Sequence, residues 1–167
     1  MNSRDYLIVS ALVSVSIIPT VSKASVATAF MGRAWKTAED RCFDTADYAA
    51  VFRTQNGSDG DGATDGCPSS GLAYYVISPP VTVTGNRPLT VTGLNDFLNN
   101  FPASTVNGVV VDGSGSVLRQ TGPILLPTGL FSTEGKVSMG SLQINGGEAL
   151  EFDCFLSPGS KVDSVTY

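Results

Sequence analysis

From Leu72 onward the sequence is a succession of short apolar or alternating runs broken by turn residues: "LAYYVIS", "VTVTG", "LTVTG", "VNGVVVDGSGSVLR", "SLQINGGEALEF" and "KVDSVTY". Runs of this length with period-two alternation bury one face by pairing strands, because successive side chains on a strand point to opposite sides. About seven or eight such strands, with turn signals every ~8–12 residues, define a mainly β chain: an antiparallel β-sandwich or jelly-roll-like domain over residues 71–167. The Gly- and Asn-rich turns are also compatible with a small β-solenoid, the alternative architecture. Thr-Val-Thr-Gly occurs at 82–85 and again at 90–93. Two copies are too few for a repeat array, and a hairpin turning at Gly85-Asn86-Arg87-Pro88 accounts for them. Further hairpins are expected at Asp112-Gly113-Ser114-Gly115 and at Asn145-Gly146-Gly147. Leu94, Phe97, Leu98 and Phe101 fall at helical spacing, which predicts a short helix stopped by Pro102.

Before the β domain the period changes. Trp35, Ala38, Cys42, Ala46, Ala49 and Phe52 recur every three or four residues, with Lys36, Glu39, Asp40 and Arg41 on the other side. This pattern predicts one amphipathic helix over residues 30–54, closed by Asn56-Gly57. Most such helices cover a core, and an assembly surface is the functional alternative. An acidic Gly-rich loop follows over residues 55–70. Residues 1–29 form an apolar leader. The stretch from Tyr6 to Ile18 carries no charge, Pro19 follows it, and Ser22-Lys23-Ala24 and Ala27-Thr28-Ala29 offer small residues for cleavage. That is the pattern of a secretory signal peptide. A retained anchor touching a membrane through residues 6–21, or an apolar arm packed into a neighbouring subunit, are its rivals. Val13-Ser14-Val15-Ser16-Ile17 alternates as an inserted strand would. All three place the chain outside the cytoplasm: secreted, at a cell surface or in a particle shell.

The loop "NGSDGDGATDGC" is the one stretch that suggests ligand chemistry. Asp59-Gly60-Asp61-Gly62-Ala63-Thr64-Asp65 resembles the calcium loops of thrombospondin type 3 and dockerin repeats, which run D-x-D-x-D-G-x-x-D. Asp59, Asp61 and Asp65 fall at the third, fifth and ninth positions, and the resemblance implies a calcium site there. The first position falls on Gly57 and the twelfth on Pro68, so two carboxylates of the pattern are missing, whereas calcium takes six to eight oxygens. A solvated acidic loop is the alternative reading. Cys42 and Cys67 bracket this region, and a bridge between them would tie the loop down. Cys154 lies with Leu150, Phe152 and Leu156 on one strand face, which predicts a buried free thiol. Three cysteines allow other pairings as well.

The excluded chemistries are clearer. With no histidine among its 167 residues, the chain has no Ser-His-Asp or Cys-His catalysis and no histidine-ligated zinc. A net charge of −5, with no basic run, argues against nucleic acid. The carboxylates available for acid–base work are Glu148, Glu151, Asp153 and Asp112. Glu151 and Asp153 lie opposite Cys154, on the expected solvent face, where a raised pKa has no evident cause. No catalytic residue and no cofactor is therefore assigned, apart from the calcium candidate. Tyr74 and Tyr75 point to opposite faces and cannot form one stacking platform. Only 15% of residues are charged, against roughly 25% in an ordinary soluble domain, so the strand edges are lightly guarded. The expected function is a non-enzymatic structural or assembly subunit of an extracellular appendage, envelope layer or virus particle, with copies of itself or neighbouring subunits as partners. The alternative is a secreted binding or adhesion module with a calcium-ordered loop.

Overall fold

The computed structural model describes residues 24–28, 32–34, 42–44, 50–52, 72–80, 84–95, 103–128 and 134–167. They form twelve strands: β1 (Val26–Thr28), β2 (Gly32–Ala34), β3 (Phe43–Asp44), β4 (Ala50–Phe52), β5 (Ala73–Ile77), β6 (Gly85–Leu94), β7 (Thr105–Val111), β8 (Val117–Gln120), β9 (Ile124–Leu125), β10 (Gly135–Ile144), β11 (Ala149–Leu156) and β12 (Lys161–Thr166). One sheet has the order β10-β6-β12-β4-β3, with β1 also on β12. The other has the order β2-β5-β11-β7-β8, with β9 also on β7. All these strand pairs are antiparallel. The fold is the expected antiparallel β-sandwich, and antiparallel pairing excludes the stacked parallel coils of a solenoid. From β5 onward the chain crosses between sheets at most of its connections, as in jelly rolls.

Alternation builds the core. On β11, Leu150, Phe152, Cys154 and Leu156 are fully buried, while the residues between them are half-exposed. Tyr75 and Ile77 of β5, Val106 and Val110 of β7, Leu89 and Val91 of β6 and Val162 and Val165 of β12 complete one continuous cluster between the sheets. A Cβ on Gly108 would stand 2.8 Å from a Leu89 methyl of the facing sheet, so any larger residue would have to displace that side chain.

The β7–β8 hairpin forms as expected. Asp112 Oδ1 accepts from Ser114 N, Ser114 Oγ and Ser116 N, closing the turn. These bonds, with the Ser114 hydroxyl foremost, hold the exposed Asp112 below its ordinary pKa. Three other expectations are corrected. Gly85-Asn86-Arg87-Pro88 is not a turn but the first part of β6, paired with β10 from Ile144 to Ser141. Pro88 fits because β12 reaches β6 only from Thr90 onward, so among the described strands this half has a single neighbour. Asn145-Gly146-Gly147 does turn the chain, yet β10 and β11 do not pair: the turn passes from one sheet to the other. Leu94 ends β6 and Asn95 bridges to Thr128, so the helix expected at 94–101 does not begin there; residues 96–102 lie outside the described residues.

The helix expected over residues 30–54 is also corrected, since β2, β3 and β4 lie within it. Strands of two or three residues are too short to show a period of their own, and tertiary pairing overrides the local helical pattern. Gly32 lies so close to β5 that a Cβ would come within 2.6 Å of the Val76 carbonyl and 2.4 Å of Tyr75. The last part of the 1–29 leader is described, as β1. Ala27 of β1 is buried in the core opposite Val165. Ser25 and Tyr167 exchange backbone hydrogen bonds of 2.7 and 2.9 Å. Cleavage after Ala24 would leave β1 whole, whereas cleavage after Ala29 would remove it.

Candidate functional site

The calcium candidates Asp59, Asp61 and Asp65, the bridge candidate Cys67 and the apolar segment 6–21 lie outside the described residues. Cys42 is buried and disulfide-bonded. Cys154 is a buried free thiol, as its strand face predicts; its Sγ donates to the Phe152 carbonyl at 3.7 Å, and burial pushes its pKa up.

The carboxylates singled out from sequence each hold structure. Asp112 closes its turn. Glu148 accepts from Arg119, from Asn145 N at 2.7 Å and from Asn145 Nδ2 at 3.1 Å. Arg119 foremost, then the Asn145 amide, lower Glu148 to about 2. Glu151 Oε1 accepts from Ser78 Oγ at 3.4 Å. Asp153 departs from expectation: it is half-buried on the outer face, and burial raises its pKa, although a hydrogen bond with Tyr74 works the other way. Its register partners Val76 and Asn107 flank it and shield it from water.

Around Asp153 the outer face of the second sheet carries an aromatic pair. Tyr74 stands opposite Phe155 in register, with ring centroids 4.7 Å apart and planes within 8°. Burial, with Asp153 next, raises the Tyr74 phenol. Tyr75 points the other way, into the core, where its ring lies 4.7 Å from that of Phe43. The two tyrosines therefore do not share a platform, as alternation requires; Tyr74 has Phe155 as its partner instead.

Among the described strands, one side of the sandwich is open in both sheets. β10 is a ten-residue edge strand, and no described strand pairs with its other side. Lys136 is its one charged residue. The facing sheet ends there in β8 and β9, where Val117, Leu118 and Leu125 are 59%, 44% and 60% exposed. Arg119 of β8 spans the gap, with Nε donating to the Gln143 carbonyl of β10 at 2.8 Å while its other end grips Glu148. The open side thus combines unpaired backbone with apolar side chains and little charge.

Two polar clusters went unread in the sequence. Asn95, Ser104, Ser157 and Ser160 are all at most 3% exposed and bonded to one another. Asn95 Oδ1 accepts from Ser104 N at 3.0 Å and from Ser160 Oγ at 3.3 Å, and Ser157 Oγ bonds both Ser104 Oγ and Ser160 Oγ. This network fastens the end of β6, the entry to β7 and the β11–β12 turn. The second cluster is Glu134, Lys161 and Asp163. The Lys-Val-Asp spacing in β12 is its one local signal; Glu134 comes from a distant part of the chain. Among the described residues no group of three or more His, Cys, Asp or Glu is placed to hold a metal ion.

Fold and surface together define a β-sandwich module with an open, sparsely charged edge. No family model and no curated protein matches the chain. Among solved structures it is similar to the GH26-CBM35 β-(1,4)-mannanase of Podospora anserina, at 18% identity and a TM-score of 0.43. The match covers 86% of this chain and 27% of the mannanase chain, so this chain spans about a quarter of that protein.

Proposed function

We propose that the chain is a non-enzymatic structural subunit of an extracellular appendage, envelope layer or virus particle, and that it associates with its neighbours through β10 and the β8–β9 edge. The observation that carries this reading is the open side itself. A long edge strand with one charge, beside exposed valine and leucine, is a hazard for a free monomer and an asset for a subunit that pairs. The carboxylates agree with a non-catalytic role, since Asp112 and Glu148 are consumed by turns and Asp153 by Tyr74. A bridge between Cys42 and Cys67 belongs to the same proposal. It leaves Cys154 as the single thiol, to be read as one blocked cysteine in the intact mass of the non-reduced protein.

The test is the state of association. The wild-type protein is expected to self-associate as its concentration rises in light scattering. The triple variant Val117→Lys, Leu118→Lys, Leu125→Lys is expected to stay monomeric, with its melting temperature nearly unchanged because exposed positions carry little stability. A wild-type protein that remains monomeric at every concentration would sink the self-association reading. The alternative, a secreted binding module, is favoured by the Tyr74–Phe155 pair beside Asp153 on the outer face. With a calcium-ordered loop, it requires calcium to raise the melting temperature by mass action.

A further inference from the structure

Three charged groups meet where β12 passes the entry to β10. Glu134 immediately precedes β10, and Lys161 opens β12. Lys161 Nζ is ion-paired with Glu134 and lies 3.8 Å from Asp163 Oδ1. The Asp163 and Glu134 carboxylates thus face the same ammonium, and each influences the other's titration. Asp163 sits at an irregularity of the β12–β6 ladder, between Val162 and Ser164, and its Oδ2 is buried with no hydrogen-bond donor. The strands paired with β12 bring no titratable group against it: β6 presents Thr90 to Leu94, β4 Ala50 and Val51, and β1 Val26 to Thr28. Lys136 and Arg87 are the other charged residues on β10 and β6.

Two ionised carboxylates side by side repel, and a buried oxygen without a donor is costly. A proton on Asp163 removes the repulsion and makes its carboxyl a donor, with Glu134 as the acceptor. The cluster then holds one negative and one positive charge. We propose that Asp163 and Glu134 share a proton and form, with Lys161, a staple between β12 and the start of β10 that is closed in mild acid and loosens towards neutral pH. Because Glu134 leads directly into β10, the staple sets how firmly the first residues of the open edge are held. It does not depend on what pairs with that edge.

The titration follows the same geometry. Burial first, then Glu134, raises Asp163 from 3.8 to about 6. The hydrogen bond from Lys161 is the largest influence on Glu134 and keeps it below its ordinary 4.5. A raised acid binds its proton more tightly in the folded state. Its contribution is therefore full below 3.8 and lost as pH climbs through about 6. The contribution of Glu134 has the opposite sign: it is present above 4.5 and lost on acidification. The staple is tightest between those limits.

The experiment is a carbon-13 NMR titration of aspartate carboxyl groups in the full chain, with Asp163→Asn assigning the resonance. The Asp163 signal is expected to titrate near pH 6 in the wild type and at lower pH in Glu134→Gln. The wild type is expected to lose melting temperature on going from mild acid to neutral pH, and Asp163→Asn, a permanent donor, is expected to lack that fall. An Asp163 midpoint in the ordinary carboxylate range, or one indifferent to Glu134→Gln, would overturn the proposal. If Asp163→Asn fails to fold, the aspartate with the raised midpoint is identified by its response to Glu134→Gln, and the titrations of wild type and Glu134→Gln decide alone.

Discussion

Replacing Phe152 with alanine is expected to lower stability by about 3–5 kcal/mol, near the upper end of what a single core substitution removes. Phe152 lies mid-strand on β11, with no exposed surface, paired with Ile77 on one side and Gly108 on the other. Gly108 is the position where Leu89 of the facing sheet closes in, so the ring stands beside a close contact between the sheets. Its backbone neighbours are held by ladders on both sides, which limits how far the site can collapse. At roughly 2–4 °C per kcal/mol for a chain of this size, the melting temperature would fall by about 6–20 °C. Thermal unfolding followed by near-ultraviolet circular dichroism measures it. A fall of only a degree or two would mean that the two sheets are not packed as described.

Asn95→Ala is the second large effect, and its cause is polar. Removing Oδ1 strips the acceptor from the buried Ser104 amide, while the Ser160 hydroxyl keeps its bond with Ser157 Oγ. A buried donor left without an acceptor costs about 1–3 kcal/mol, and that is the loss expected here. Asn95→Asp keeps the acceptor and introduces a charge where none is compensated, so it is expected to rescue only in acid. Urea unfolding of the three proteins separates the cases. Equal stability of wild type and Asn95→Ala would show that the serines find other partners.

Much of the architecture was legible because it is local. The "LAYYVIS" and "ALEFDCFL" runs announce both their strands and which side chains turn inward, Cys154 included. The Asp112 turn is written in residues that supply their own hydrogen bonds. What was not legible is which strands pair. Asn145-Gly146-Gly147 has hairpin chemistry, but nothing in those residues says that the chain is changing sheets. Gly85-Asn86-Arg87-Pro88 has turn chemistry too, and its place in β6 is set by β10, some fifty residues away in sequence. The helical stripe of residues 30–54 misleads because a two- or three-residue strand is held by its partners' backbones and leaves no pattern. The Glu134–Asp163 pair is hidden for the same reason. Each is an ordinary surface acid until the fold brings them together, while Glu148, the acid that stood out, is bound by Arg119 and Asn145.

The hydrogen bonds between Ser25 and Tyr167 have a consequence for how the domain can be joined to anything else. Both ends of the described fold leave from one pole, side by side, with β1 lying along the end of β12. Whatever precedes Ser25 and whatever is attached after Tyr167 would share that exit. The β7–β8 turn and the β10–β11 corner belong to other parts of the circuit. If the chain pairs through β10 as proposed, such a domain would meet its neighbour side-on from that shared exit rather than being threaded end to end like a bead.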